Sequence, residues 1–476
     1  MKRALSVRLP LSIAISAVLL TGCATVNIEQ SIKRTNADTA SFTKGDLALA
    51  QNDSQRIALQ DTAEVLIAKP LTQDDAVRLA LVNSPSVQSL LAQGWADSAA
   101  AMQSGRIANP ILTLERLRTP TEIDVGRMLA FGVLDVLTLP QRQRTAQARV
   151  DQLQLQLAAS VVETVTDVRQ AWVNAVAAEQ ALTYAKQVND SAEASAELAR
   201  RMQAVGNFTK LQRARQQSFY ADAVLQWASA KQNAIANREA LIRALGLTDA
   251  QAVRLQLLER LPDLPAAPRT PELVATTASS SRLDVRMAQA ALEASARATG
   301  MNWISSFTDI ELSLIRNTTT ERADGHKTQT RGAEVALKLP LFDWGELQRD
   351  ASRAQVLAAA HRLEATVRSA GSNLRETYSA YRTAYDAARH YRDEIVPLRK
   401  LIAEENVLRY NGMLIGVFEL LADSREQIAS VSAAINAQKQ FWLADAALQS
   451  TMVGKPMMMP LSTSTPTMGG GGDAPH

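Results

Sequence analysis

The sequence predicts a mainly α-helical chain with a small β portion, built as an internal duplication. Three observations predict it. Apolar residues recur every three or four positions over very long stretches, as at Val150, Leu153, Leu157, Val161, Val165 and Val168, which marks amphipathic helices. Four short runs alternate apolar and polar residues with period two, as half-buried strands do. Landmarks also return at a near-constant offset: Leu339-Pro340 follows Leu139-Pro140 by 200 residues and Gly412 follows Gly206 by 206, so one unit is used twice.

The first 22 residues carry Lys2, Arg3 and Arg8, then an apolar stretch from Leu11 to Leu20, and read as a secretory signal peptide. Ten apolar residues are too few to span a bilayer, which takes about 20. Cys23, immediately after, is the only cysteine of the chain. A lone cysteine in a secreted protein is either a modified residue or an unpaired thiol. Residues 23–70 are polar and weakly patterned and are expected to be an extended N-terminal segment.

The first repeat, 71–268, opens with a helix capped by Thr72 and running to about Ser104. Strands are expected at residues 111–118 and 125–139, around the turn residues Thr119-Pro120-Thr121-Glu122. A helix of about 60 residues follows, roughly 90 Å at 1.5 Å per residue. Gly206-Asn207 breaks it, and a second long helix runs from Thr209 to Leu245, closed by Gly246. The second repeat, 269–454, restates this order: Thr270-Pro271 opens a helix, strands are expected at 307–316 and 330–339, and long helices lie on either side of the break at Gly412. Pro397 has no counterpart in the first repeat, so a kink is expected there. Residues 455–476, rich in Met, Pro, Ser, Thr and Gly, are expected to be a disordered tail.

The 51 basic and 48 acidic residues give a net charge of +3, and the three basic residues of the signal account for all of it. The mature chain lacks the basic excess expected of a nucleic-acid binder. Beyond the signal there is no apolar run of 18 residues, so any further membrane crossing requires β-strands. The strand runs separate an apolar from a charged face: Ile310, Leu312 and Leu314 oppose Asp309, Glu311 and Ser313. That suits lipid on one side and water on the other, but a soluble sheet on a core alternates in the same way. Four strands cannot close a barrel, since about eight are needed, so a barrel would require several copies. The long amphipathic helices likewise need partners.

No histidine pair has metal-site spacing, and no phosphate loop or nucleophile elbow is found, so neither an enzyme nor a bound cofactor is expected. Met457, Met458 and Met459 in the tail are soft ligands of the kind that suit Cu(I), or else chance residues of a low-complexity tail.

Several segments are similar to those of known families. Leu20-Thr21-Gly22-Cys23 resembles the lipobox of bacterial lipoproteins, which implies cleavage before Cys23 and its acylation, palmitate included; Ala24 in place of an aspartate implies the outer membrane as destination. Across almost all of the mature sequence the chain resembles the TolC-like outer-membrane efflux proteins. The residues that carry this are Leu71-Thr72 with Ala76, Ala80-Leu81 and Asn83 to Pro85; Asn109-Pro110; Leu245-Gly246-Leu247; Arg409 to Gly412 with Leu420-Leu421; and, most specific, Pro340-Leu341-Phe342-Asp343-Trp344-Gly345.

The resemblance implies a homotrimer in which each chain gives four strands to one 12-stranded barrel, with the helices forming a periplasmic tunnel. It implies a passive exit duct in a tripartite efflux or secretion system, served by a periplasmic adaptor and an inner-membrane pump. The two breaks, Gly206-Asn207-Phe208-Thr209 and Gly412-Met413-Leu414-Ile415, would be adaptor-docking tips as well as hairpin turns. Relatives carry gate aspartates where this chain has Phe418 and Leu421. The nearest acids, Glu419 and Asp423, lie four apart on one helix face and would either ring the pore or form a solvated outer face. The other function considered is a periplasmic coiled-coil lipoprotein scaffold without a pore.

Overall fold

A computed structural model describes residues 27–305, 310–339 and 341–455. It divides into two compact units. One comprises the chain up to Val168 with Leu241–Leu257 and Ser279–Ser372; the other comprises Arg169–Ala240, Leu258–Ala278 and the chain from Asn373 onward.

The first unit begins with two helices where an extended segment was expected, α1 (Ile28–Thr43) and α2 (Asp53–Ile67). Each starts at an asparagine whose side chain accepts from the backbone three residues on, Asn27 from Gln30 and Asn52 from Gln55. The buried face of α1 carries Ile28, Ile32 and Phe42 at its ends but Thr35 and Thr39 in its middle, which interrupts the apolar stripe that a hydropathy reading looks for. The Thr35, Thr39 and Thr43 hydroxyls donate to the carbonyls four residues back at 2.8–3.2 Å, so they are buried with their hydrogen bonds made.

The single helix expected from Thr72 to Ser104 is two, α3 (Gln73–Asn83) and α4 (Pro85–Ser104). Pro85 has no N–H for the ladder and holds Ser84 in extended conformation, φ −73° and ψ 121°. Two motifs distant in sequence meet at this break. Asn83 donates through Nδ2 to the carbonyls of Leu245 and Gly246 at 3.3 and 2.9 Å.

The sheet is antiparallel with order β1-β2-β3-β4: β1 (Ile111–Arg118), β2 (Glu122–Gly132), β3 (Ile310–Glu321) and β4 (Lys327–Leu337). β2 pairs with β3, which joins the hairpins of the two repeats into one sheet. β2 ends at Gly132, short of the expected residue 139, and Val133–Leu137 form a short helix, α5. An apolar run of this length does not by itself distinguish strand from helix; here Asp135 in the first turn and its ion pair with Arg142 at 2.6 Å favour the helix.

The longest helices are α6 (Leu139–Ala204), α7 (Lys210–Leu245), α11 (Glu346–His390) and α13 (Val417–Val453); shorter ones are α8 (Asp249–Arg254), α9 (Pro271–Ser281), α10 (Leu283–Ser305) and α12 (Val396–Asn411), which continues the line of α11. At Pro397 the α-helical ladder gives way to a π-helical turn, Tyr391–Ile395, just ahead of the proline. The missing proline N–H and the clash of its ring with the preceding turn are relieved there by one wider turn. In the second unit, Tyr381, Tyr385, Phe441 and Leu448 form a core. The Tyr385 hydroxyl holds the inter-repeat segment through the Pro265 and Ala266 carbonyls at 3.0 and 3.2 Å. Among the described residues no helix is long and apolar enough to cross a membrane.

Candidate functional site

The pairing register fixes which side chains share a face of the sheet. Residues directly opposite across a ladder lie on the same face, and alternate residues along a strand lie on opposite faces. Following Glu115↔Gly126↔Asn317↔Thr330 and Leu114↔Arg127↔Arg316↔Arg331 through the three ladders separates two surfaces. The first carries every acid of the strands: Glu115, Glu122, Asp124, Glu311, Glu321 and Glu334. The second carries every base: Arg116, Arg118, Arg127, Arg316, Lys327 and Arg331. The second face is also the apolar one, with Leu112, Leu114, Leu129, Leu314, Val335 and Leu337 all exposed.

The acidic face is the more enclosed in the middle of the sheet. Ala130 and Ser313, paired across β2 and β3, are buried, and one carboxylate oxygen of Asp124 is buried without a hydrogen-bond partner among the described residues. Both outer strands, β1 and β4, expose every residue, and each has one backbone edge that pairs with no other strand among the described residues. Such edges pair with further strands unless they are covered.

Beyond β4 the chain enters α11 through the strand-to-helix motif, of which Pro340 lies outside the described residues. Asp343 accepts from the Gly345 N–H at 2.7 Å, and Gly345 has φ +71°, a left-handed conformation natural to glycine. The Gly345 carbonyl then takes the first helical hydrogen bond, from Arg349. This tight corner leaves Leu341, Phe342 and Trp344 projecting, with Phe342 98% exposed. Exposed aromatics at the end of an apolar strand band are placed as interfacial residues of membrane barrels are.

The two hairpin tips are built alike. In the first, Gly206 is left-handed at φ +81°; Asn207 N–H donates to the Met202 carbonyl at 2.9 Å and Gly206 N–H to Gln203 at 3.0 Å. This paired arrangement is a Schellman cap. Phe208 is buried, and Thr209 caps α7 in a reciprocal pair with Gln212. In the second tip, Leu414 donates to Arg409 at 2.8 Å and Met413 to Tyr410 at 3.0 Å. Ile415 is buried as Phe208 is. The left-handed residue is Met413, φ 59°, whereas Gly412 has an ordinary φ of −79°. The two tips therefore correspond with an offset one residue longer than the glycines suggest.

Of the two acids near the second tip, Glu419 is exposed, while Asp423 is half-buried and accepts a hydrogen bond from Asn406 of α12. They lie on one helix, but Asp423 is engaged in holding α12 to α13. Close by is a feature that the sequence pattern gives no sign of. Arg425 lies over the Phe219 ring, 4.2 Å from its centroid, and donates to Gln216 at 3.2 Å. Its Nε is buried without a hydrogen-bond partner among the described residues, and burial lowers its pKa below the usual arginine value.

Cys23 and the tail methionines Met457, Met458 and Met459 lie outside the described residues. Among the described residues no group of three or more His, Cys, Asp or Glu side chains is placed to hold a metal.

The sequence pattern of the outer membrane efflux protein family matches residues 274–403. No curated protein sequence matches the chain. Among solved structures, the fold is similar to the outer membrane protein VceC of Vibrio cholerae, with TM-score 0.65 and 16% identity over 83% of this chain and 96% of that one. It is similar to a membrane protein from Pseudomonas aeruginosa, with TM-score 0.64 and 18% identity over 84% and 94%. It is also similar to the open state of the MtrE outer membrane channel of Neisseria gonorrhoeae, with TM-score 0.62 and 18% identity over 83% and 89%.

Proposed function

We propose that the chain is a member of the TolC-like outer membrane efflux proteins, whose sequence pattern matches residues 274–403, and that three copies of it form a passive exit duct across the outer membrane. The observation that carries this is the four-stranded sheet: one face apolar, the other acidic, and an open edge on either side. Four strands are too few to close. Lipid would take the apolar face and water the acidic one, and three copies joined β1 to β4 would leave no free edge.

The helical hairpins would extend the duct on the periplasmic side. The tips at Gly206–Thr209 and Gly412–Ile415 would dock a periplasmic adaptor that links the duct to an inner-membrane pump. Exposed apolar side chains at both tips, Val205, Leu211, Met413 and Leu414 among them, support that reading, because such side chains gain by being covered. Acylation of Cys23 would add a lipid anchor. Glu419 and Asp423 would place negative charge near the closed end and so favour cations there, with Asp423 also tying α12 to α13 through Asn406.

The test is conductance. The purified full-length protein, reconstituted in planar bilayers, should give discrete channels and should run as a detergent-resistant, heat-modifiable trimer. Helical protein with neither property would favour the poreless scaffold.

A further inference from the structure

From the register of the strands we infer that the outward face of the barrel carries a binding belt for phosphorylated outer-leaflet lipid headgroups. The inference rests on the barrel reading above. Arg127, Arg316 and Arg331 are directly opposite one another across three adjacent strands, with backbones about 5 Å apart. Arg116 and Arg118 of β1 lie on the same face, two and four residues nearer the hairpin turns, and Lys327 is level with Arg118 across the sheet.

Like charges set directly opposite across a ladder destabilise a sheet. Here no strand residue on that face is acidic. None of the six makes an ion pair among the described residues; Arg316 donates to the neutral Gln329 at 3.1 Å. A row of guanidinium groups without an internal counterion is arranged for an anion from outside the chain, and arginine matches phosphate with two parallel hydrogen bonds.

The position of the row selects the anion. On one side of it, on the same face, lies the apolar band, from Ala333 and Leu314 back to Leu337 and Ile310. The exposed aromatics Phe342 and Trp344 lie past the far end of that band. On the other side are the two hairpin turns, at the ends of the strands away from the helices. With the helices in the periplasm, the row meets the bilayer at the level of the outer-leaflet headgroups. A ligand held there has acyl chains against the leucines and phosphates against the arginines. The inferred ligand is an acylated sugar lipid with phosphate monoesters, whose packing also neutralises the row.

Purified full-length trimer in neutral detergent is titrated with bisphosphorylated lipid A and, separately, with the same lipid dephosphorylated, and bound lipid is counted by native mass spectrometry. Wild type is expected to retain the phosphorylated lipid at least tenfold more tightly, with binding that weakens as salt rises. The combined variant Arg127→Gln, Arg316→Gln and Arg331→Gln is expected to lose that preference. Millimolar inorganic phosphate should not displace the lipid. Equal retention of both lipids by wild type overturns the inference without recourse to any variant. Full displacement by phosphate also overturns it, since the belt would then be a plain anion site, and so does an unchanged preference in the combined variant. Trimer stability and conductance are read on the same samples. Their loss in wild type counts against the duct reading, and their retention without phosphate-dependent lipid binding counts against the belt alone.

Discussion

Met413 holds in the second hairpin tip the left-handed backbone position that Gly206 holds in the first, with the same pair of hydrogen bonds around each. A side chain in that conformation costs about 1 kcal/mol that glycine does not incur, and Met413 is 93% exposed, so packing returns little. Gly206→Met is therefore expected to destabilise the first tip by about 1 kcal/mol. Met413→Gly should be neutral or stabilising, since the relief of strain is opposed by the greater flexibility of glycine in the unfolded chain. Thermal unfolding of the two variants followed by helical circular dichroism would check this; destabilisation of similar size in both would show that the tips do not correspond in this way.

Gly246 illustrates a second requirement for glycine. Its φ is +65°, and a methyl group added there would lie 2.6 Å from the Pro85 ring and 2.7 Å from the Ser84 backbone. Left-handed strain and overpacking together predict that Gly246→Ala costs about 2–4 kcal/mol. Asn83→Ala, which removes the side-chain hydrogen bonds to Leu245 and Gly246, should cost about 1–3 kcal/mol through the carbonyls left unsatisfied. Folded yield and protease resistance of the two variants are the measurements, and the first variant should be the worse.

Much of this fold was legible because helix length, strand alternation and duplication are one-dimensional signals. The strand at residues 111–118, the helix end at Leu245 and the irregularity near Pro397 could be read directly. What was hidden needed a second dimension. The stripe of α1 is interrupted between Ile32 and Phe42 by Thr35 and Thr39, buried with their hydroxyls bonded to the helix backbone, which hydropathy does not register. The match between Met413 and Gly206 was missed because the sequence offers Gly412 as the obvious counterpart. The segregation of acids from bases on the sheet was only half visible: each strand shows its own alternation, but the facing of Arg127, Arg316 and Arg331 exists only once the register is fixed.

The acidic face of the sheet predicts ion selectivity. Six carboxylates per chain and no strand base on that face would repel anions from a lumen lined by it. Open channels of the wild type should pass cations in preference, measured as a reversal potential across a salt gradient. Combining Glu115→Gln, Glu311→Gln and Glu334→Gln should move that potential toward zero. Arg116→Gln, on the opposite face, should leave it unchanged. A shift caused by the arginine variant instead would mean that the faces are assigned the wrong way round.

Glu419 and Asp423 can be separated by experiment because their surroundings differ. Asp423 accepts a hydrogen bond from Asn406 and so ties α12 to α13, whereas Glu419 is exposed. Asp423→Ala should therefore loosen the hairpin, lowering its stability by about 1–2 kcal/mol and raising the fraction of time that reconstituted channels are open. Asn406→Ala should reproduce that effect, since it breaks the same contact from the other side. Glu419→Ala should leave stability within about 0.5 kcal/mol of wild type and act only on cation entry. Single-channel recording of the three variants, with thermal unfolding alongside, would check this. Equal opening in Glu419→Ala and Asp423→Ala, with Asn406→Ala unaffected, would mean that negative charge at the constriction, and not the α12–α13 contact, holds the duct closed.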